Sequence, residues 1–121
     1  MIITVTRSHQ ALHAERLLLM VEINRMLTCS TGNITRKDAE ILREQSRLLA
    51  DKPRARWVVD IFYGYIARPG LLAVPAMALR NMGLSESAIR LMTQAREIYG
   101  VETICFDRDG EPLEGWPFYQ W

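Results

Sequence analysis

The chain has 121 residues, 49% of them hydrophobic and 24% charged, with a net charge of +1. This describes one soluble globular domain, too short for two cores, and the small net charge hides an asymmetry that places any polyanion-binding surface on the helical part. No apolar run approaches the about 18 residues of a membrane span. The opening MIITVTRSHQ lacks the basic start and long apolar core of a signal peptide. Cys29 and Cys105 are far apart and form no CxxC. They suit reduced packing residues in a cytoplasmic protein, with a disulfide as the alternative.

Taken in order, Met1 to Thr6 is short and β-branched and predicts a strand. Ser8 can cap a helix from Gln10 to Leu27. Its apolar residues (Leu12, Leu18, Leu19, Ile23, Met26 and Leu27, widened by Leu17, Met20 and Val21) cover most of its circumference. Burial inside the domain and a homodimer interface both fit such a helix. Thr28 to Asn33 reads as a polar loop. Thr35 then caps a helix from Arg36 to Ala50, with Asp38 in the capping-box position. Ile34, Ala39, Leu42, Leu48 and Leu49 give it a core face, while Arg36, Lys37, Arg43 and Arg47 share the outside with Glu40 and Glu44 as a solvated face. Pro53 opens a helix from Arg54 to Ala67, whose Trp57, Val58, Ile61, Phe62, Tyr65 and Ile66 read as the centre of the core. Lys52, Arg54 and Arg56 gather at its start, against the local dipole, which hints at a phosphate-facing end beside the plainer reading of surface solvation.

Leu71 to Gly100 reads as two helices around a tight turn. Pro75 suits a first helical turn, Gly83 a helix stop, and Ser85 an N-cap followed by Glu86 at the positive end of the dipole. Ala88, Ile89, Met92, Ala95 and Tyr99 form one apolar stripe. After them Val101 to Phe106 alternates as a strand, Asp107 to Gly110 turns, and Glu111 to Trp121 can return, with Pro112 and Pro117 limiting it to an edge or an irregular strand.

The segment around Gly83-Leu84-Ser85 resembles the G-L-S-x-S-x-I turn of bacterial helix-turn-helix regulators, and the hairpin after it resembles the wing of winged members. The resemblance implies a mostly α (α+β) domain of about five helices, ending in a helix-turn-helix and a C-terminal β-hairpin wing with Arg108 near its tip. The whole chain, 1–121, is then one domain. Residues 1–50 supply a strand and helices with a possible dimerisation role, and residues 51–121 form the winged helix-turn-helix-like part. In such a domain Ala78, Met82, Leu84, Ile89 and Met92 pack the two helices together, while Ser87, Arg90, Leu91 and Gln94 face outward.

Arg90 can bind guanine and Gln94 adenine, Ser85 and Ser87 can reach phosphate or base edges, and Arg80 can hold a phosphate, with Arg54 and Arg56 as further contacts. The first expectation is therefore a sequence-specific, homodimeric regulator that binds double-stranded DNA, possible as a phage or mobile-element protein. Charge supplies the counter-argument. Residues 1–96 carry 14 Lys/Arg against 8 Asp/Glu, while Arg108 alone stands against six carboxylates after residue 96. Such a hairpin would be repelled by phosphates. The alternative is thus a protein-interaction module, adaptor or inhibitor, with Trp116, Phe118, Tyr119 and Trp121 as its anchor. His9 and His13 lack further ligands for a metal site, and no phosphate loop or nucleophile motif occurs. No enzyme activity, metal or cofactor is expected.

Overall fold

The alternating VETICF segment supplies the strand around which the sheet is assembled. The computed structural model describes residues 2–6 and 24–121. Its strands are β1 (Ile2–Thr6), β2 (Asn24–Ser30), β3 (Val58–Asp60), β4 (Gly64–Ala67) and β5 (Thr103–Asp107). They form one mixed sheet in the order β1-β2-β5-β4-β3. β2 and β5 are parallel, and every other neighbouring pair is antiparallel. Register places Leu27, Ile104, Ala67 and Val58 in one row across the sheet, and Cys29, Phe106 and Tyr65 in the next. All seven are buried, so this face is the floor of the core.

Three helices occur among the described residues: α1 (Arg36–Leu48), α2 (Pro75–Met82) and α3 (Glu86–Tyr99). α1 packs against β3 and β4 and buries Ala39 and Leu42. Ser46 on the same helix accepts the Asp60 N–H at 2.9 Å, which ties α1 to β3. α2 has no side-chain cap and begins with Pro75 at its first position; it ends on Gly83, whose φ of 96° is left-handed and costs a glycine nothing. Leu84, buried, leads into α3, which turns Ala88, Ile89, Leu91, Met92 and Ala95 inward.

One carboxylate joins these pieces. Asp38 is fully buried. Its Oδ2 accepts the Thr35 N–H at 2.9 Å, closing the capping box of α1, and accepts the Ser85 hydroxyl at 2.7 Å. Its Oδ1 accepts the Ser85 N–H at 2.8 Å. Two helix N-termini therefore meet on one anion, as helix dipoles favour.

Several expectations are corrected. The fold has three described helices and a mixed sheet, not about five helices with a wing. Residues 54–67, expected as a helix, contain the β3–β4 hairpin: their aromatic and β-branched residues suit a pleated surface, and backbone approach demands a glycine between them. A Cβ at Gly64 would lie 1.8 Å from the Phe106 carbonyl oxygen. The expected wing is also absent. β5 is paired on both sides, so no edge remains for Glu111 to Trp121, which run irregularly. β1 forms as expected but pairs with β2. Asn24 to Leu27, expected to finish the first helix, and Thr28 to Ser30, expected as loop, together make β2. The rest of that first helix, with Ser8, His9 and His13, lies outside the described residues.

Register also decides the cysteines. Cys29 pairs with Phe106 and Thr28 with Cys105, so the two thiols lie on opposite faces of neighbouring strands, and both are free. Burial, and after it the charge of Cys105, pushes the Cys29 thiol from 9.0 up to about 12. Burial, then Asp107, also raises Cys105.

Two outcomes follow from these contacts. Asp38→Ala strands three donors and removes the carboxylate at two helix N-termini, so urea unfolding is expected to show a loss of about 3 kcal/mol, against about 0.5 kcal/mol or less for exposed Glu40→Ala. Equal losses would remove Asp38 from its joining role. For Cys29 the folded value lies above the unfolded one, so its contribution is complete below pH 9.0 and fades as pH rises toward about 12. Over that window wild type should lose about 1.4 kcal/mol per pH unit more than Cys29→Ala. Parallel stability curves would show that the thiol titrates freely in the fold.

Candidate functional site

The residues expected to read DNA are mostly engaged within the chain. Ser85 caps α3, accepting the Ala88 N–H at 3.2 Å while its own hydroxyl donates to Asp38. Ser87 shares a hydrogen bond with the Tyr119 hydroxyl at 2.9 Å. Arg80 forms a two-pronged pair with Glu86 at 2.8 and 3.1 Å, which lowers the Glu86 carboxyl, the hydrogen bond acting first. Leu91, expected to face outward, is buried, because α3 lays that side on the core. Arg90 and Gln94 remain exposed. Arg54 is exposed in the turn before β3, and Arg56 reaches Ser46 in α1. Ser46 and Asp38 stand eight residues apart on α1, about 12 Å along its axis. Arg56 and the start of α3 therefore belong to different ends of the helix layer.

The tail is held by the turn that follows β2. Buried Asn33 accepts the Leu113 N–H at 2.8 Å and donates to the Pro117 carbonyl at 3.0 Å. The Tyr119 N–H donates to the Gly32 carbonyl at 2.7 Å, and the Trp121 indole to the Ile34 carbonyl at 2.9 Å. Trp116 is half-buried, its indole donating to the Tyr99 hydroxyl at 3.2 Å. Phe118 and Trp121 stay exposed. The structure thus gathers the four expected anchor residues on one strap while presenting only part of their surface.

The residue that the sequence concealed is Phe62. It sits at the tip of the β3–β4 hairpin, 92% exposed, with a φ of 80°. Its N–H donates to Asp60 Oδ1 at 2.8 Å, and the Ile61 N–H to the Gly64 carbonyl at 3.0 Å, which close the turn. A phenylalanine in the left-handed region is strained, and one facing water gains no burial in return. Tyr63 beside it is also exposed. Phe62 and Arg43 line two adjoining clefts. One, of about 190 Å³, includes Tyr63, Arg108 and Trp121. The other, of about 460 Å³, includes Arg47, Arg56 and Asp60. Hairpin tip, tail and α1 therefore build one aromatic and arginine-rich face.

Two of the four arginines on this face have carboxylate partners. Arg47 pairs with Glu44 on its own helix, holding that carboxyl below its ordinary value, and Arg43 lies 3.8 Å from Asp60. The Tyr65 hydroxyl, ahead of Asp60 and Glu40, raises Arg43. Among the described residues no group of three His, Cys, Asp or Glu side chains is arranged to hold a metal, and no helix is long and apolar enough to cross a membrane. Sequence could have exposed the tip through Asp60 and Gly64, turn residues four apart inside a β-rich run. Arg43 and Arg47 carried no signal beyond a charged helix face.

Comparison with known proteins places the chain in a family. Residues 26–121 fit the family of unknown function DUF5983, C-terminal domain, and the chain belongs to that family. No curated protein and no solved structure matches it.

The strain at the tip has a measurable consequence. Phe62→Gly should leave the unfolding free energy within about 1 kcal/mol of wild type or raise it, whereas Phe106→Ala, in the core, should cost about 3–5 kcal/mol. A large loss at Phe62 would mean that its ring supports the fold.

Proposed function

We propose that this member of the DUF5983 family is a non-enzymatic protein-interaction module whose partner docks on the face formed by the hairpin tip, the tail and α1. The observation that carries the reading is Phe62, held in a strained conformation with its ring in water. Strain of this kind persists where surrounding structure imposes it, and it gathers at sites of contact. The neighbours support the reading. Tyr63, Phe118, Trp121, Arg43 and Arg108 are the residue types enriched at the centres of protein interfaces, while the carboxylates of Glu40, Asp60, Asp107 and Asp109 beside them disfavour a continuous phosphate backbone.

A second reading, the duplex-DNA regulator, draws on Arg90 and Gln94, which stay exposed on α3. It would have to act without a wing and without Ser85, Ser87 and Arg80 in their present contacts.

The test is cross-linked capture in the source cell, followed by reassembly of the complex from two purified proteins. Phe62→Gly is expected to weaken the reassembled complex by about 30-fold, as loss of an interface hot spot does, while Arg90→Ala/Gln94→Ala leaves it unchanged. The same proteins are titrated with mixed-sequence duplex DNA across a salt series. An unaltered complex with Phe62→Gly would reject the interaction face. Steeply salt-dependent duplex binding lost in the Arg90/Gln94 variant would establish the regulator instead.

A further inference from the structure

The larger of the two clefts holds a guanidinium with no carboxylate partner among the described residues. Arg43, Arg47 and Arg56 surround it, with Asp60 on its rim and Phe62 as one wall. Arg56 is half-buried. Its Nε is sealed from water with no acceptor, and its Nη2 contact to Ser46 Oγ is long, at 3.4 Å. No carboxylate among the described residues lies within ion-pair distance of it. A guanidinium partly withdrawn from water without a counter-charge is an incomplete ion pair, costly until an anion arrives. Arg47 has its own partner in Glu44, and Arg43 has Asp60 at 3.8 Å besides the Tyr65 hydroxyl. Of the three guanidinium groups, Arg56 alone has no carboxylate partner among the described residues.

We infer that this cleft receives carboxylates from the partner protein, on a segment where Asp or Glu flanks a bulky apolar residue. The inference rests on the interaction reading above and specifies the chemistry of the partner. Guanidinium forks bind carboxylates two-pronged, and the exposed Phe62 ring offers the flanking residue an apolar wall. A run of phosphates fits less well. Glu40 is close enough to act on Arg43, and Asp107 and Asp109 border Arg108, whose N–H donates to the Tyr63 carbonyl. These acids would repel a continuous polyanion while tolerating one or two carboxylates placed in the cleft.

The experiment titrates the full ¹⁵N-labelled chain with the peptide N-acetyl-Glu-Glu-Leu-Glu-Glu-amide and follows the arginine Nε–H and hairpin amide resonances. The lysine counterpart of the peptide and octathymidylate serve as the other arms. The acidic peptide should shift Arg43, Arg47, Arg56 and Phe62 saturably and more weakly as salt is raised. Arg43→Gln/Arg47→Gln, both on the exposed side of α1, should weaken it by about tenfold or more. Arg56→Lys, which keeps the charge and loses the fork, should weaken it as well. No saturable shift, an equal response to the lysine peptide, or binding indifferent to these variants would overturn the inference. Tighter binding of octathymidylate at the same resonances would overturn it in favour of single-stranded nucleic acid. If the acidic peptide fails while the reassembled complex still depends on Phe62, the carboxylate assignment falls and the interaction reading stands.

Discussion

Asp38 is the joint on which the helix layer depends. Its two oxygens accept from Thr35 and twice from Ser85. The same buried carboxylate thereby ends the loop before α1 and fixes the start of α3. Three donors and two helix dipoles make a buried charge tolerable that would otherwise be prohibitive. Other parts take their positions from it. Ser87, in the first turn of α3, holds the tail through Tyr119. Ser46, two turns along α1, holds the start of the hairpin turn through Asp60. Tip and tail thus share a reference element, and their aromatic rings keep a defined spacing although neither lies in regular structure.

What could be read from the sequence was whatever is encoded locally. Thr35 with Asp38, Pro75, Gly83 and Ser85 set helix ends through contacts a few residues away, and those ends lie where such residues place them. The errors lie where distant strands decide. Trp57, Val58, Ile61, Phe62, Tyr65 and Ile66 can form a helical stripe, but the same residues also suit a hairpin; pairing with β5 selects the hairpin. The tail reads as a strand until β5 is seen to have no free edge. Leu91 looked exposed because a helix-turn-helix frees its second helix, whereas here that side of α3 is buried in the same core cluster as the strand residues. For the face itself, the tail aromatics could be seen because they cluster in sequence. Phe62 was hidden because the helical reading assigned it to the core.

The tail divides each of its polar aromatics into two tasks. Trp116, Tyr119 and Trp121 each commit one polar atom to a partner in the body of the domain, at Tyr99, Ser87 and Ile34 respectively. An aromatic ring pinned by its polar end keeps its apolar face in a fixed orientation, at little further entropic cost on binding. Three such hydrogen bonds anchor an irregular segment containing Pro112 and Pro117 to the body of the domain.

The parallel pairing of β2 with β5 has a consequence for synthesis. These adjacent strands are separated in sequence by α1, the hairpin and both later helices. As the chain leaves the ribosome, the β1–β2 and β3–β4 ladders can each close from nearby residues, but each then has an inner edge with nothing to pair with. Only β5, made after both, bridges them. Until it emerges, the nascent chain carries two unsatisfied strand edges whose apolar rows are exposed, the condition under which chains associate with one another or recruit chaperones.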